Sequence, residues 1–103
     1  MTESKFNSAI CTYIRNNYKD VWVYKIPDTA GLGGKRPFDI IGVYNARVFC
    51  IESKLDTRKL SPYQDYQLKL AGEAGAITMI ARACEDWKKM IKEYMHSIEK
   101  YIN

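Results

Sequence analysis

The stretch Pro37-Phe38-Asp39-Ile40-Ile41-Gly42-Val43-Tyr44, then Asn45-Ala46, then Arg47-Val48-Phe49-Cys50-Ile51-Glu52-Ser53-Lys54, decides how this chain is read. Both halves are rich in β-branched and aromatic residues and read as strands over 38–44 and 47–54. The turn at Asn45-Ala46 makes them an antiparallel hairpin. Each is apolar on successive residues instead of alternating, the pattern of a strand covered on both faces. Pairing symmetric about residues 45 and 46 sets Asp39 opposite Glu52. Residues two apart share a face, so Glu52 and Lys54 project together while Ser53 points away. Two carboxylates and an ammonium thus converge at one end of a sheet, where an unpaired charge would lose its hydration at high cost.

Groups of this kind persist in apolar surroundings when they pair with each other or hold a metal ion. Two acidic side chains suit a hard divalent cation, Mg²⁺ or Mn²⁺, which takes oxygen ligands and keeps several waters. The backbone carbonyl of Ser53 offers a third oxygen. A cation held there polarises a phosphodiester and lowers the pKa of a bound water. Lys54 is placed to orient that water or to balance charge on the phosphorus. The plain alternative is a strand-end salt bridge from Lys54 to either acid, yet surface salt bridges need no apolar company.

The hairpin sits within a regular order of elements. Residues 3–18 read as a helix with Thr2 as N-cap and a stripe of Phe6, Ile10, Tyr13, Ile14 and Tyr18. Val21 to Ile26 reads as a strand, and the Gly- and Pro-rich segment from Pro27 to Pro37 as a loop. After a basic connector from Leu55 to Leu60, Ser61-Pro62-Tyr63-Gln64 starts a helix: Ser at N-cap, Pro at N1, Gln at N3 of a capping box. That helix runs to about Glu73. Ala76 to Ala83 is a further strand, which a right-handed crossover makes parallel to its neighbour. Glu85 to Ile102 is a last helix, with Trp87, Ile91, Tyr94, Ile98 and Tyr101 on one face. The fold class is α/β, a mixed sheet flanked by helices in the order α-β-β-β-α-β-α, over a single domain of residues 1–103.

Bulk properties exclude some functions. With 47% hydrophobic and 27% charged residues the chain is an ordinary globular sequence. It contains no apolar run long enough for a transmembrane helix, and its first residues are polar, unlike a secretory signal. These features predict an intracellular, cytoplasmic protein with no membrane partner. Cys11, Cys50 and Cys84 stand singly and read as reduced, mostly buried thiols, not a zinc site. His96 reads as a surface or packing residue. A net charge of +4 permits a polyanionic partner without requiring one.

Three motifs in sequence order carry a resemblance: Gly33-Gly34-Lys35-Arg36-Pro37-Phe38-Asp39-Ile40-Ile41-Gly42, then Ile51-Glu52-Ser53-Lys54, then Leu60-Ser61-Pro62-Tyr63-Gln64. Together they resemble the VRR-NUC family, within the PD-(D/E)XK, restriction-endonuclease-like superfamily of nucleases. The resemblance spans about residues 3 to 83. It implies that Asp39 and Glu52 are metal-binding acids and Lys54 the catalytic lysine. It also implies that Gln64 lies beside the active site and that Glu3, on the first helix, completes the metal site. Both have plainer roles available, a capping-box residue for Gln64 and a helix-dipole acid for Glu3. Asp28 competes with Asp39 for the part of first acid, but an aspartate in a Gly-rich loop is commonly a solvated turn residue. Ser53 stands where the family is usually apolar, which predicts a less buried strand.

In a nuclease, Lys35, Arg36, Arg58 and Lys59 would contact phosphates. Tyr63 and Tyr66 are candidates for stacking on bases, with packing the simpler alternative. These readings predict a Mg²⁺- or Mn²⁺-dependent endonuclease acting on DNA, selective for branched or flapped structures. The competing classes are a non-catalytic nucleic-acid-binding module on the same fold and a scaffold protein with structural salt bridges. The small domain and the aromatic residues of the last helix predict a homodimer.

Overall fold

In the computed structural model, which describes residues 1–27, 36–55 and 57–100, the first helix begins where its cap sequence places it. Helix α1 spans Glu3–Asn17, and the Thr2 side chain accepts a hydrogen bond from the Lys5 N–H. Strand β1 is Trp22–Lys25, β2 is Ile40–Tyr44 and β3 is Arg47–Lys54. Helix α2, Pro62–Glu73, opens with a complete capping box between Ser61 and Gln64. Strand β4 is Ile77–Arg82 and helix α3 is Trp87–Glu99. The expected order, α-β-β-β-α-β-α, is the observed one.

The expected β2–β3 register is observed as well. The sheet order is β1-β2-β3-β4, with β1–β2 and β2–β3 antiparallel and β3–β4 parallel. Ile40 pairs with Ile51 and Tyr44 with Arg47, as a two-residue turn at Asn45-Ala46 demands. Both turn residues have positive φ, 52° and 61°, the requirement of a type I′ hairpin. Asp39 lies just before β2 but continues its ladder: its N–H donates to the Ile51 carbonyl at 3.1 Å, and its carbonyl accepts from Ile26 at 2.8 Å.

The two sheet faces are covered unequally. Val23, Ile40, Phe49, Ile51, Met79 and Ala81 face α1 and α3, where they form the main core with Phe6, Ile10, Ile14, Ile91, Met95 and Ile98. On the other face Phe38, Cys50 and Leu68 form a smaller cluster under α2, joined by Ile26, Ile41 and Ile80. Helix α2 packs mainly on β3 and β4. Consequently β3 is buried on successive residues from Phe49 to Ser53, as expected, while Val43 and Val48 remain exposed. Their row has no helix to cover it.

Several boundaries and burials differ from expectation. The last helix starts at Trp87, two residues later than read, because Cys84 to Asp86 form a turn. Met95, absent from the expected stripe, is fully buried, whereas Trp87 and Tyr94 pack at the margin of the core. Trp87 meets Phe6 and Tyr13 edge to face. Tyr101 lies outside the described residues. Cys11 and Cys50 are buried thiols, as predicted, and burial pushes the Cys50 pKa up to about 11; Cys84 is exposed. His96 is at the surface.

Two backbone positions yield predictions. A Cβ added at Gly42 would overlap the ring of Phe49, which is fully buried against the main core. Gly42→Ala should therefore destabilise the fold by about 1–3 kcal/mol, the usual cost of overpacking, measurable by urea denaturation. Ala46 occupies the left-handed region, where an L side chain is disfavoured and glycine is not. Ala46→Gly should raise stability by about 1 kcal/mol in the same measurement.

Candidate active site

Hairpin pairing brings the two acids together. Asp39 and Glu52 are 4% and 3% exposed, and their side chains are hydrogen-bonded to each other. Asp39 is the better solvated by protein groups. Its Oδ2 accepts from the Ser53 N–H at 2.8 Å and lies 3.1 Å from the Ser53 hydroxyl. Its Oδ1 forms an ion pair with Arg36 at 2.6 Å. Burial opposes ionisation of Asp39, but the hydrogen bonds from Glu52 and Ser53 and the Arg36 charge outweigh it, leaving its pKa below the usual carboxylate range.

Glu52 is the opposite case. Burial, then its hydrogen bond to Asp39 and the Asp39 charge, push its pKa up to about 9, with Lys54 and Arg36 only partly opposing. Glu52 therefore keeps its proton near neutral pH and donates it to the Asp39 carboxylate. Two buried acids in contact cannot both ionise without a compensating positive charge.

Ser53 overturns the expectation of a less buried strand. It is fully buried. A hydroxyl is tolerated there because its Oγ lies 2.5 Å from the Oδ1 of Asn7, also fully buried, as well as near Asp39. One hydroxyl hydrogen serves one acceptor at a time. With the Asn7 amide turned over, its nitrogen donates to Ser53 and Ser53 donates to Asp39. That arrangement also gives a partner to the Asn7 Nδ2, which otherwise has none. Asn7 was missed from the sequence. The available signal was its position in the series Asn7, Ile10, Cys11, Ile14, a polar residue on the buried stripe of a helix.

The other expected residues are placed less centrally. Lys54 follows on the face of Glu52 and is near enough to lower its pKa; the geometry agrees with the expected shared face. Gln64 uses its Oε1 to accept from the Ser61 N–H at 2.9 Å, within the capping box. Arg36, expected at phosphates, turns inward: besides Asp39 it donates to the Ile26 carbonyl at 3.0 Å. Arg58 and Lys59 are exposed on the connector before α2, and the Arg58 carbonyl accepts from Arg82. Among the described residues no three acids, histidines or cysteines gather into a group that could hold a metal, so Glu3 does not join the pair in that way. Lys35 and Asp28 lie outside the described residues.

The residues present do fit a divalent cation. The donor set is all oxygen, two buried carboxylates in contact, and Mg²⁺ commonly takes only one or two protein carboxylates and fills its remaining positions with water. The proton on Glu52 marks uncompensated negative charge at the pair, which a cation would relieve.

The structure is thus a mixed α/β sheet with two acids facing each other at the end of a central hairpin and a lysine two residues beyond. No protein-family model matches the sequence, and neither does any curated protein. Solved structures do match. A VRR_NUC domain protein superposes with a TM-score of 0.68 at 19% identity, over 93% of this chain and 89% of that one. Hjc, a Holliday junction resolvase from the archaeal hyperthermophile Archaeoglobus fulgidus, superposes with a TM-score of 0.56 at 18% identity, over 76% of this chain and 64% of the resolvase. The chain thus has the VRR-NUC fold that its three motifs resembled.

Protonation of Glu52 links stability to pH. Its folded pKa, about 9, lies above the ordinary 4.5, so unfolding releases the proton. The associated stability is complete below about pH 4.5 and is lost as pH rises through 9. In metal-free buffer, Glu52→Gln should match the parent in Tm near pH 4.5 and exceed it increasingly toward pH 9. Parallel Tm curves across that range would refute the shared proton.

Proposed function

We propose that the chain is a metal-dependent endonuclease that hydrolyses phosphodiester bonds in DNA. The contact between Asp39 and Glu52, with Lys54 on the same sheet face, carries this reading. The likeness in fold to a VRR_NUC domain protein and to a Holliday junction resolvase supports it, and the resolvase favours branched DNA as the substrate. Mg²⁺ or Mn²⁺ would be held by Asp39, Glu52 and the Ser53 carbonyl, with Glu3 as a further candidate and Gln64 beside the site. When bound, such an ion supplies charge stabilisation at the phosphorus and an acidified water.

The chain's own residues do the rest. Ser53 and Asn7 fix the Asp39 carboxylate from behind, so its orientation is set before any ligand arrives. To hold a cation Glu52 would have to release its proton, so affinity for the ion would rise with pH. Lys54 orients the attacking water and balances the charge that builds on the non-bridging oxygens. Arg36, Lys35, Arg58 and Lys59 are the phosphate-contact candidates; Arg36 would do so only by giving up its ion pair with Asp39. Trp87 and Tyr94, which motivated a homodimer, pack within one chain, and both acids and the lysine come from that chain.

Purified protein incubated with branched, flapped and linear DNA should cleave at least one substrate with Mg²⁺ or Mn²⁺, and none with EDTA. Glu52→Gln should abolish cleavage without lowering Tm, since the amide can still donate to Asp39 but cannot supply a carboxylate. Lys54→Ala should slow cleavage by about 10²- to 10³-fold. Failure to cut any substrate with metal present would sink the proposal. A non-catalytic binding module would instead show DNA affinity without calorimetric Mn²⁺ binding.

A further inference from the structure

Strand register arranges the α2 face of the sheet in four rows. The first holds Trp22, Val43 and Val48, the second Tyr24, Ile41, Cys50 and Thr78. The third holds Ile26, Asp39, Glu52 and Ile80, the fourth Lys54 and Arg82. Character changes in one direction along this face, from aromatic, through acidic, to basic. Val23 is buried toward α1 and α3, so its neighbours Trp22 and Tyr24 necessarily face the other way.

There α2 does not reach. Trp22 is 53% and Tyr24 47% exposed. Their rings stand parallel, 3° apart in orientation with centroids at 6.0 Å. Leaving two large rings in water on an edge strand forfeits their burial, which ordinary packing would avoid. By strand rise, Tyr24 lies about 7 Å and Trp22 about 14 Å from the acidic row. Both therefore sit within a few nucleotides of the reacting phosphate.

We propose that Trp22 and Tyr24 form a stacking platform for unpaired bases of the DNA strand being cut, which assigns the substrate class as DNA with a single-stranded arm beside the cleavage point. The proposal rests on the nuclease reading above. Parallel aromatic faces accept any base, and stacking of this kind tolerates all sequences. Basic residues lie on the far side of the acids: Lys54 and Arg82 in the fourth row, and Arg58 and Lys59 on the connector, where the Arg58 carbonyl accepts from Arg82. A strand crossing the acids would meet rings on one side and phosphate-binding charge on the other. A second copy of the chain could also cover the rings, but self-docking gives no reason for them to align with the acidic row or for the charge gradient.

Binding of an oligothymidylate of about 12 nucleotides, measured in EDTA, tests this apart from catalysis. Trp22→Ala and Tyr24→Ala should each weaken binding by about 5- to 150-fold, while Trp22→Phe and Tyr24→Phe retain most of it. In Trp87→Phe protein, Trp22 is the sole tryptophan, and the oligonucleotide should quench its emission. Unchanged affinity in the alanine variants, or no quenching, would overturn the proposal. A shift from dimer to monomer in Trp22→Ala with oligothymidylate affinity intact would overturn it too, and would mark the face as a self-association surface. Active protein that binds independently of these rings refutes only the platform; inactive protein that binds through them refutes only the nuclease reading.

Discussion

The hydrogen bond from the Ser53 N–H to the Asp39 carboxylate is the constraint on which the site depends. It joins the entry of β2 to the end of β3 through a side chain, one residue beyond the last regular pair of that hairpin. Burial, joined by the neighbouring Asp39 that this bond and the Arg36 ion pair hold ionised, makes Glu52 keep its proton. The pair thus carries close to one negative charge in place of two. A buried acid pair becomes tolerable in that form, and it stays responsive to an incoming cation.

Unequal coverage of the sheet gives this site its surroundings. The face toward α1 and α3 is sealed by large apolar side chains, which fixes the hairpin rigidly. The α2 face is sealed mainly over β3 and β4, while Trp22, Tyr24, Val43 and Val48 stay exposed, so the acids lie between a packed cluster and an open aromatic surface. A site at such a border keeps part of its shell dry, which strengthens electrostatic interactions.

Much of this was legible in the sequence. A two-residue turn dictates register arithmetically, so Asp39 and Glu52 could be paired without coordinates. The Ser61 and Gln64 capping box located α2 for the same local reason. Other features were not legible, because each depends on an element distant in sequence. Ser53 looked out of place in a buried strand until Asn7 and Asp39 were seen to surround it. Asn7 could be suspected from its buried stripe, but its partner lies 46 residues away. Arg36 read as a phosphate contact, since nothing local shows that its guanidinium reaches a carboxylate and the Ile26 carbonyl.

The sequence by itself determined the element order, the hairpin register and the placing of Asp39 opposite Glu52 with Lys54 on the same face, since these follow from periodicity, turn length and caps acting over a few residues. Only the tertiary structure decided which acid keeps the proton, what satisfies the buried serine, and which sheet face stays open beside Trp22 and Tyr24. Those outcomes are set by burial and by long-range hydrogen bonds, which come into existence only when α1, α2 and the strands pack together.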